Sequence, residues 1–257
     1  MMSPSTTEMT ALVTGGSRGI GRAAVRRLAA DGYRVAFTYA SDHVAAEETT
    51  RLAAEVGGQA FGFRAEFGAH GDAERAWAAF AETARDHDLG GHVDVLVANA
   101  AVGGVAPLAA LNEDEFDRTF AANVRAPLFL IREGLSRLRD GARIITVSSL
   151  AAQLATPPMI AYAASKAAIE NVTIALAKEL GPRGITVNAI RPGTVRTDSW
   201  NALSGGRAEA EAAVAARAAL GRIGEPDDIA DVIAYLASPD ARWITGSVVN
   251  AAGGTGI

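Results

Sequence analysis

Short apolar runs alternate with longer helical patterns along nearly the whole of this 257-residue chain. Residues 11–13 are typical of a buried strand, and the segment after them places Ile20, Ala24 and Leu28 on one helical face. Further strands are expected over residues 34–38, 59–63, 93–97, 143–147, 184–190 and 246–250. Helices are expected over 43–56, 72–85, 160–180 and 227–236, with one long or two broken helices over 113–139. Such alternation predicts a doubly wound, Rossmann-like parallel α/β sheet with helices on both faces.

The chain is long enough for one large α/β domain or two small ones. It shows no linker, low-complexity tract or internal repeat, so one domain over residues 9–257 is expected. Residues 1–8 are polar and lack the basic start and apolar run of a signal peptide, which predicts a short disordered lead. Residues 194–220 follow a strand and are rich in alanine and glycine. They are expected to form the substrate loop, because such folds bind ligands beyond the carboxyl ends of their strands.

Composition disfavours several classes of function. The net charge of −5 and the scattered basic residues argue against a nucleic-acid partner. No apolar stretch is long enough to cross a bilayer. The absence of cysteine excludes disulfides and thiolate zinc sites and fits a cytoplasmic protein. The four histidines show no metal-ligand spacing, so no metal site is predicted.

Tyr162 and Lys166 lie one turn apart in the predicted helix over residues 160–180, so their side chains share a face. A free phenol has a pKa near 10, too high for ready proton exchange at neutral pH. A cation about 4 Å away favours the phenolate by up to about 4 kcal/mol at an effective dielectric constant of about 20. The spacing therefore predicts a tyrosine tuned for general acid–base catalysis, with Ser149 shortly upstream. The alternative is an ordinary solvated helix face.

A glycine-rich turn, residues 14–21, connects the first predicted strand to the first helix. Glycines allow close approach to a pyrophosphate, and the helix N-terminus offers unpaired N–H groups. In this position the turn predicts a dinucleotide site, although a tight connection could use the same residues. Its predicted cofactor contacts are Gly15, Ser17, Arg18, Gly19, Ile20 and Gly21.

The end of the second strand indicates which dinucleotide binds. Tyr39 and Ser41 stand where NAD-binding chains usually place a carboxylate, and Asp42 comes too late to be a confident substitute. Arg18 would offer a guanidinium to a 2′-phosphate, unless it is only a solvated turn residue. NADP(H) is therefore the predicted cofactor, with NAD(H) possible.

Several segments in order resemble the single-domain type of the short-chain dehydrogenase/reductase family, from about Met9 to Gly254. They are the glycine turn, residues 94–101, Asn123, the group Ser149, Tyr162 and Lys166, residues 191–197, residues 222–230 and residues 244–246. The chain departs from the family at Ala98 and Ala101, which replace an asparagine and a glycine. It departs again at Glu66, where aspartate is usual.

The resemblance implies hydride transfer between a nicotinamide and a carbonyl carbon. Tyr162 would be the proton donor or acceptor, Lys166 would lower its pKa and hold the nicotinamide ribose, and Ser149 would stabilise the substrate oxygen. Asn123 would hold a water connected to Lys166, or tie off broken helical hydrogen bonds. The further implied cofactor contacts are Glu66, Phe67, Asn99, Ala100, Ala101, Tyr162, Lys166, Pro192, Gly193, Val195 and Thr197. The family also implies a homotetramer.

Three functions are compatible with these residues. The leading hypothesis is NADPH-dependent reduction of a ketone, a 3-oxoacyl or related substrate, because the motifs are most similar to those of 3-oxoacyl-[acyl carrier protein] reductases. The second is oxidation of a sugar, steroid or other secondary alcohol, and the third is a non-catalytic NADP-sensing protein on the same fold. The expected substrate contacts are Ser149, Leu150, Leu154, Met159 and Trp200. Leu203 is a further candidate for the apolar pocket wall, and all the apolar members could equally be ordinary packing.

Overall fold

A computed structural model describes residues 9–256 of the chain. The predicted lead over residues 1–8, and Ile257, lie outside the described residues. The strands are β1 (Thr10–Val13), β2 (Arg34–Tyr39), β3 (Gln59–Arg64), β4 (Val93–Ala98), β5 (Leu138–Val147), β6 (Thr186–Pro192) and β7 (Val248–Ala251). The helices are α1 (Gly19–Ala30), α2 (His43–Glu55), α3 (Asp72–Asp86), α4 (Glu113–Phe120), α5 (Ala126–Glu133), α6 (Ile160–Leu180), α7 (Asp198–Ser204), α8 (Ala208–Ala215) and α9 (Pro226–Ala237).

The seven strands form one parallel sheet in the order β3-β2-β1-β4-β5-β6-β7. Helices α1, α2 and α9 cover one face, and α3, α5 and α6 cover the other. Every residue of β1 and β4 is buried, as the central strands of a sheet covered on both sides require. The predicted fold class, a doubly wound Rossmann-like sheet, is confirmed.

Two segments differ from the predicted boundaries. The region expected to be helical over residues 113–139 divides into α4, a π-helical turn (Ala121–Arg125) and α5, and β5 begins at Leu138. The segment over residues 194–220 contains two short helices, α7 and α8, separated by Gly205 and Gly206. Both glycines have a positive φ, which ends the first helix at little steric cost.

The strand order reverses at β1, because β2 and β3 lie on one side of it in the sheet and β4 to β7 lie on the other. A crevice opens at such a point beyond the carboxyl ends of the strands. In the part of the chain that the structure describes, no helix combines the length and hydropathy needed to span a membrane.

Candidate active site

A cleft of about 940 Å³ lies along the carboxyl ends of β1, β2, β4, β5 and β6. Every residue predicted to contact a cofactor lines it, from the glycine turn at one end to Tyr162, Lys166 and the segment after β6 at the other. These residues are Gly15, Ser17, Arg18, Gly19, Ile20, Gly21, Tyr39, Ser41, Glu66, Phe67, Asn99, Ala100, Ala101, Tyr162, Lys166, Pro192, Gly193, Val195 and Thr197. Ser149 and Met159 also line the cleft.

The glycine turn is held tightly against β2. The Gly15 N–H donates to Thr38 Oγ1 at 3.0 Å, and Gly15 has a φ of +65°. A Cβ at Gly21 would stand 2.1 Å from the Gly15 carbonyl oxygen, so only glycine fits there. Because α1 begins at Gly19 inside this turn, its free N–H groups lie beside the cleft, where they suit a pyrophosphate.

Thr14 locks the glycine turn to the loop after β4. Its Oγ1 accepts hydrogen bonds from the N–H groups of Asn99 at 3.0 Å and Ala100 at 2.9 Å. The Asn99 amide in turn donates to the carbonyls of Thr14 at 2.9 Å and Gly15 at 3.2 Å. This role of Thr14 was not predicted from the sequence, in which the available signal is a threonine at the first position of the turn.

The adenosine end of the cleft contains the carboxylate of Asp42, which the sequence did not predict as a cofactor contact. Asp42 lines the cleft, pairs with Arg18 and caps α2 by accepting from the Ala45 N–H at 2.9 Å. The Ala45 hydrogen bond and the Arg18 guanidinium together hold the pKa of Asp42 below its usual value. Arg18 also lies 3.9 Å from Asp198 at the start of α7. Arg18 is therefore directed to the region where a 2′-phosphate would sit, but with acidic neighbours.

The structure brings Tyr162, Lys166 and Ser149 together at the other end of the cleft. The Lys166 Nζ lies 5.7 Å from the centre of the Tyr162 ring and donates to the Val147 carbonyl at 2.7 Å. Ser149 lies just beyond Ser148 after the end of β5, and its Oγ accepts from the Ala151 N–H at 3.2 Å. A proton donor, a cation and a hydroxyl thus share one surface of the cleft.

Burial controls the protonation of both titratable groups. It lowers the pKa of Lys166 to about 8, so the ammonium form still prevails at neutral pH. Burial raises the pKa of Tyr162, and a hydrogen bond with Ser149 opposes the rise. This direction differs from the lowered tyrosine pKa that the helix spacing predicted, because loss of hydration around the phenol outweighs the groups that favour phenolate.

The comparisons with known proteins agree with this geometry. A family profile described as enoyl-(acyl carrier protein) reductase matches residues 15–256. The crystal structure of the angucycline C-6 ketoreductase LanV with bound NADP superposes with a TM-score of 0.93 at 38% identity, covering 99% of this chain and 98% of that one. The hydroxynaphthalene reductase arp2 of Aspergillus fumigatus is 37% identical over 246 residues, which is 92% of this chain and 88% of that protein. A short-chain dehydrogenase/reductase from Serratia marcescens is 35% identical with a TM-score of 0.88, covering 99% of this chain and 100% of that one.

The chain belongs to the short-chain dehydrogenase/reductase family.

In this short-chain dehydrogenase/reductase, Asn123 lies in the π-helical turn and does not line the cleft. Its amide donates to the Val102 carbonyl at 2.9 Å and to Ser165 Oγ at 3.0 Å, and its Oδ1 accepts from the Val102 N–H at 2.8 Å. The side chain therefore joins the loop after β4 to α6. It does not tie off hydrogen bonds of its own helix, and the water-holding role remains a prediction.

Three of the expected substrate contacts lie away from the cleft surface. Leu150 is buried, Leu154 packs against Gly256, and Trp200 is absent from the cleft lining. Leu203, one turn beyond Trp200 on α7, lines the cleft and is 52% exposed. Leu203, and not Trp200, is therefore the large apolar residue of α7 that lines the cleft. Within residues 9–256, no three histidine, aspartate or glutamate side chains converge as metal ligands would.

Proposed function

We propose that this enzyme reduces a ketone to a secondary alcohol with NADPH. The observation that carries the proposal is the convergence of Tyr162, Lys166 and Ser149 at one end of a cleft whose other end is a glycine-lined phosphate cradle. NADPH, when bound, would supply the hydride. A 2′-phosphate would gain charge-assisted hydrogen bonds from Arg18.

The chain's own residues would manage the proton and the substrate oxygen. Tyr162 would donate its proton to the carbonyl oxygen as that oxygen gains negative charge. Burial raises the pKa of Tyr162, so the phenol is protonated at neutral pH, and the Lys166 ammonium beside the ring would favour loss of that proton to the carbonyl oxygen. Lys166 would stabilise the phenolate that remains, and Ser149 would donate a hydrogen bond to the same substrate oxygen.

The cleft favours an apolar substrate. Val105, Met159 and Leu203 line its outer part, and Val105 and Leu203 are each about half exposed. A second solved structure of LanV contains NADP together with rabelomycin, and it matches this chain at 37% identity with a TM-score of 0.89. We place the substrate among hydrophobic ketones, either 3-oxoacyl compounds or ring ketones.

We also propose that the enzyme is cytoplasmic and self-associates, as the tetramer expected from the family would require. Strand β7 is an edge strand, and Trp243 just before it is 95% exposed. An indole so exposed beside an open sheet edge is typical of a surface that a second copy covers. Sedimentation of the purified chain gives the oligomeric state directly, and a monomer would contradict this part of the proposal.

The function is tested by a panel of substrates assayed for oxidation of NADPH. The panel should contain ring ketones, β-ketoesters and acyl thioesters, each run in parallel with NADH at matched subsaturating concentrations. We expect turnover with at least one hydrophobic ketone and higher activity with NADPH. Faster oxidation of secondary alcohols than reduction of every ketone would favour a dehydrogenase. Binding of NADPH without turnover of any substrate would favour a sensor.

A further inference from the structure

Behind the catalytic end of the cleft, an ion pair joins α6 to β6. The Arg191 Nη2 donates to Glu170 Oε2 at 2.6 Å, and its Nε donates to Oε1 at 2.9 Å. Both side chains are largely buried, with 18% of Arg191 and 11% of Glu170 exposed. A bidentate ion pair of this kind fixes the orientation of both side chains as well as their distance.

The pair contacts the segments on both sides of Ser149. Ser148, its direct neighbour, donates from Oγ to Glu170 Oε1 at 2.6 Å. Gln153, in the loop after Ser149, accepts from Arg191 Nη1 at 2.7 Å. The serine is therefore held between two residues that are both tied to the same ion pair.

The pair is also connected to Lys166 on α6 and to the segment after β6 that lines the cleft. Glu170 lies one helical turn beyond Lys166 on α6, and Ser148 Oγ is 3.2 Å from the Lys166 carbonyl. Arg191 directly precedes Pro192 and Gly193, which line the cleft.

We propose that Glu170 and Arg191 are positioning residues that hold Ser149 and Lys166 in the geometry required for proton transfer, as a charge-balanced pair one helical turn along α6 from Lys166. The inference rests on the proposed reductase function.

The groups around Lys166 determine how a charge change at residue 170 or 191 affects its protonation. Tyr162 and Glu170 are the titratable groups one turn away on its own helix. The Val147 carbonyl at the end of β5 accepts from Lys166 Nζ, and the hydroxyl residues Ser148 and Ser149 follow it. The neutral Asn123 of the π-helical turn contacts the neighbouring Ser165, and Arg191 on β6 pairs with Glu170. An unpaired carboxylate at residue 170 would favour the ammonium form of Lys166, and an unpaired guanidinium at residue 191 would disfavour it.

Three variants separate positioning from simple stability. Glu170→Gln keeps the size and an acceptor for Ser148 but leaves the Arg191 charge uncompensated. Arg191→Met leaves the Glu170 charge uncompensated, and the double variant removes both charges. The measurements are kcat, the KM for NADPH and the pH profile of ketone reduction from about pH 6 to about pH 10.

We expect each variant to lower kcat roughly ten- to a hundredfold, with the KM for NADPH within about twofold of wild type. The fall in rate at alkaline pH should move to lower pH in Glu170→Gln and to higher pH in Arg191→Met. It should return close to its wild-type position in the double variant, because the local charge is then balanced again.

The matched control is Asp94→Asn at the opposite end of the sheet. Asp94 is also a buried carboxylate, accepting from the Thr10 N–H at 2.8 Å and from Arg139 at 3.4 Å. It should lose thermal stability while kcat and the pH profile stay unchanged. Wild-type kcat and an unshifted pH profile in Glu170→Gln, with a loss of Tm like that of Asp94→Asn, would overturn the proposal.

Two further outcomes are also decisive. Should Glu170→Gln fail to fold, Arg191→Lys keeps the charge but cannot make all three contacts. It should lower kcat with the pH profile in place, and unchanged kcat would overturn the proposal. If the wild-type enzyme reduces a ketone and all variants match it, only this inference fails, whereas an inactive wild type contradicts the proposed function itself.

Discussion

The two halves of the cleft are built in different ways. The dinucleotide half is fixed by hydrogen bonds among backbone groups, Thr14 and Asn99, and by a glycine that no other residue could replace. The half that we propose for the substrate, the substrate half, is lined by Val105, Met159 and Leu203. Leu203 belongs to the segment over residues 194–220, in which α8 buries none of its residues. That segment is attached by the exposed ion pairs of Arg196 with Glu211 and Glu225, and by backbone hydrogen bonds between residues 194–196 and Gly224.

The difference shows which half is free to change. Exposed ion pairs contribute little to stability, and α8 buries no residue, so substitutions in α8 cost the fold little. A side chain at Gly21 would instead force backbone atoms apart. We infer that cofactor and proton chemistry are fixed in this enzyme, whereas substrate choice resides in a segment that tolerates variation. Substitutions in the dinucleotide half should therefore change kcat or the cofactor preference. Those in the substrate half should change the KM for the ketone.

The largest expected effect in this series is at Ser149. Ser149→Ala removes a hydrogen bond to the substrate oxygen that strengthens as charge develops there, so kcat should fall roughly a hundred- to a thousandfold. Binding of NADPH, followed by its fluorescence, should not change. A fall of less than about fivefold would show that the serine has no part in stabilising the oxygen.

The pH profile should report Lys166. Its pKa of about 8 lies below the ordinary lysine value, so the ammonium is present below that pH and lost above it. The kcat/KM for reduction should therefore be level towards neutral pH and fall by about tenfold per unit at higher pH. A profile that stays level to about pH 10 would show that the ammonium form is not needed.

Cofactor preference tests the acidic surroundings of Arg18. Arg18→Gln should reduce the preference for NADPH over NADH roughly ten- to a hundredfold, because a charge-assisted hydrogen bond to the 2′-phosphate is lost. Asp42→Asn keeps the helix cap but frees the guanidinium, and should improve kcat/KM for NADPH by less than about fivefold. An unchanged preference in Arg18→Gln would place 2′-phosphate recognition elsewhere.

The smallest effect is expected in the substrate half. Leu203→Ala should raise the KM for a hydrophobic ketone about two- to fivefold with kcat unchanged, because one half-exposed apolar contact is lost. Trp200→Ala is the matched control on the same short helix. It should leave KM within about twofold of wild type, since its side chain does not line the cleft. The reverse pattern would contradict the orientation of α7.

The sequence predicted those parts of the molecule where the chemistry admits few residue types. A tight turn and a shared helix face require particular residues at particular spacings. The sequence therefore predicts the glycine turn and the pair Tyr162 and Lys166. Asp42 was set aside because its position in the chain does not show that the loop returns towards Arg18. Glu170 and Arg191 lie in a helix and a strand that read as ordinary elements. Only the tertiary structure brings their charges together.

The substrate half was the least predictable for the same reason. Its alanine-rich stretches carry no strong periodic pattern, so they predict neither α7 nor α8, and the sequence does not show which of Trp200 and Leu203 lines the cleft. The direction of the Tyr162 pKa was also wrong, because the helix spacing gives the distance to the lysine but not the burial of the phenol. The outcome was decided by burial, which depends on the whole fold.

We propose above that Tyr162 donates its proton to the substrate carbonyl oxygen beside the bound dinucleotide. This proposal is tested most directly by Tyr162→Phe, with NADPH binding and single-turnover reduction measured on the same preparation. We expect NADPH to bind within about threefold of the wild-type affinity while the rate of reduction falls at least about a hundredfold. Retention of more than about a tenth of the wild-type rate would contradict the assignment.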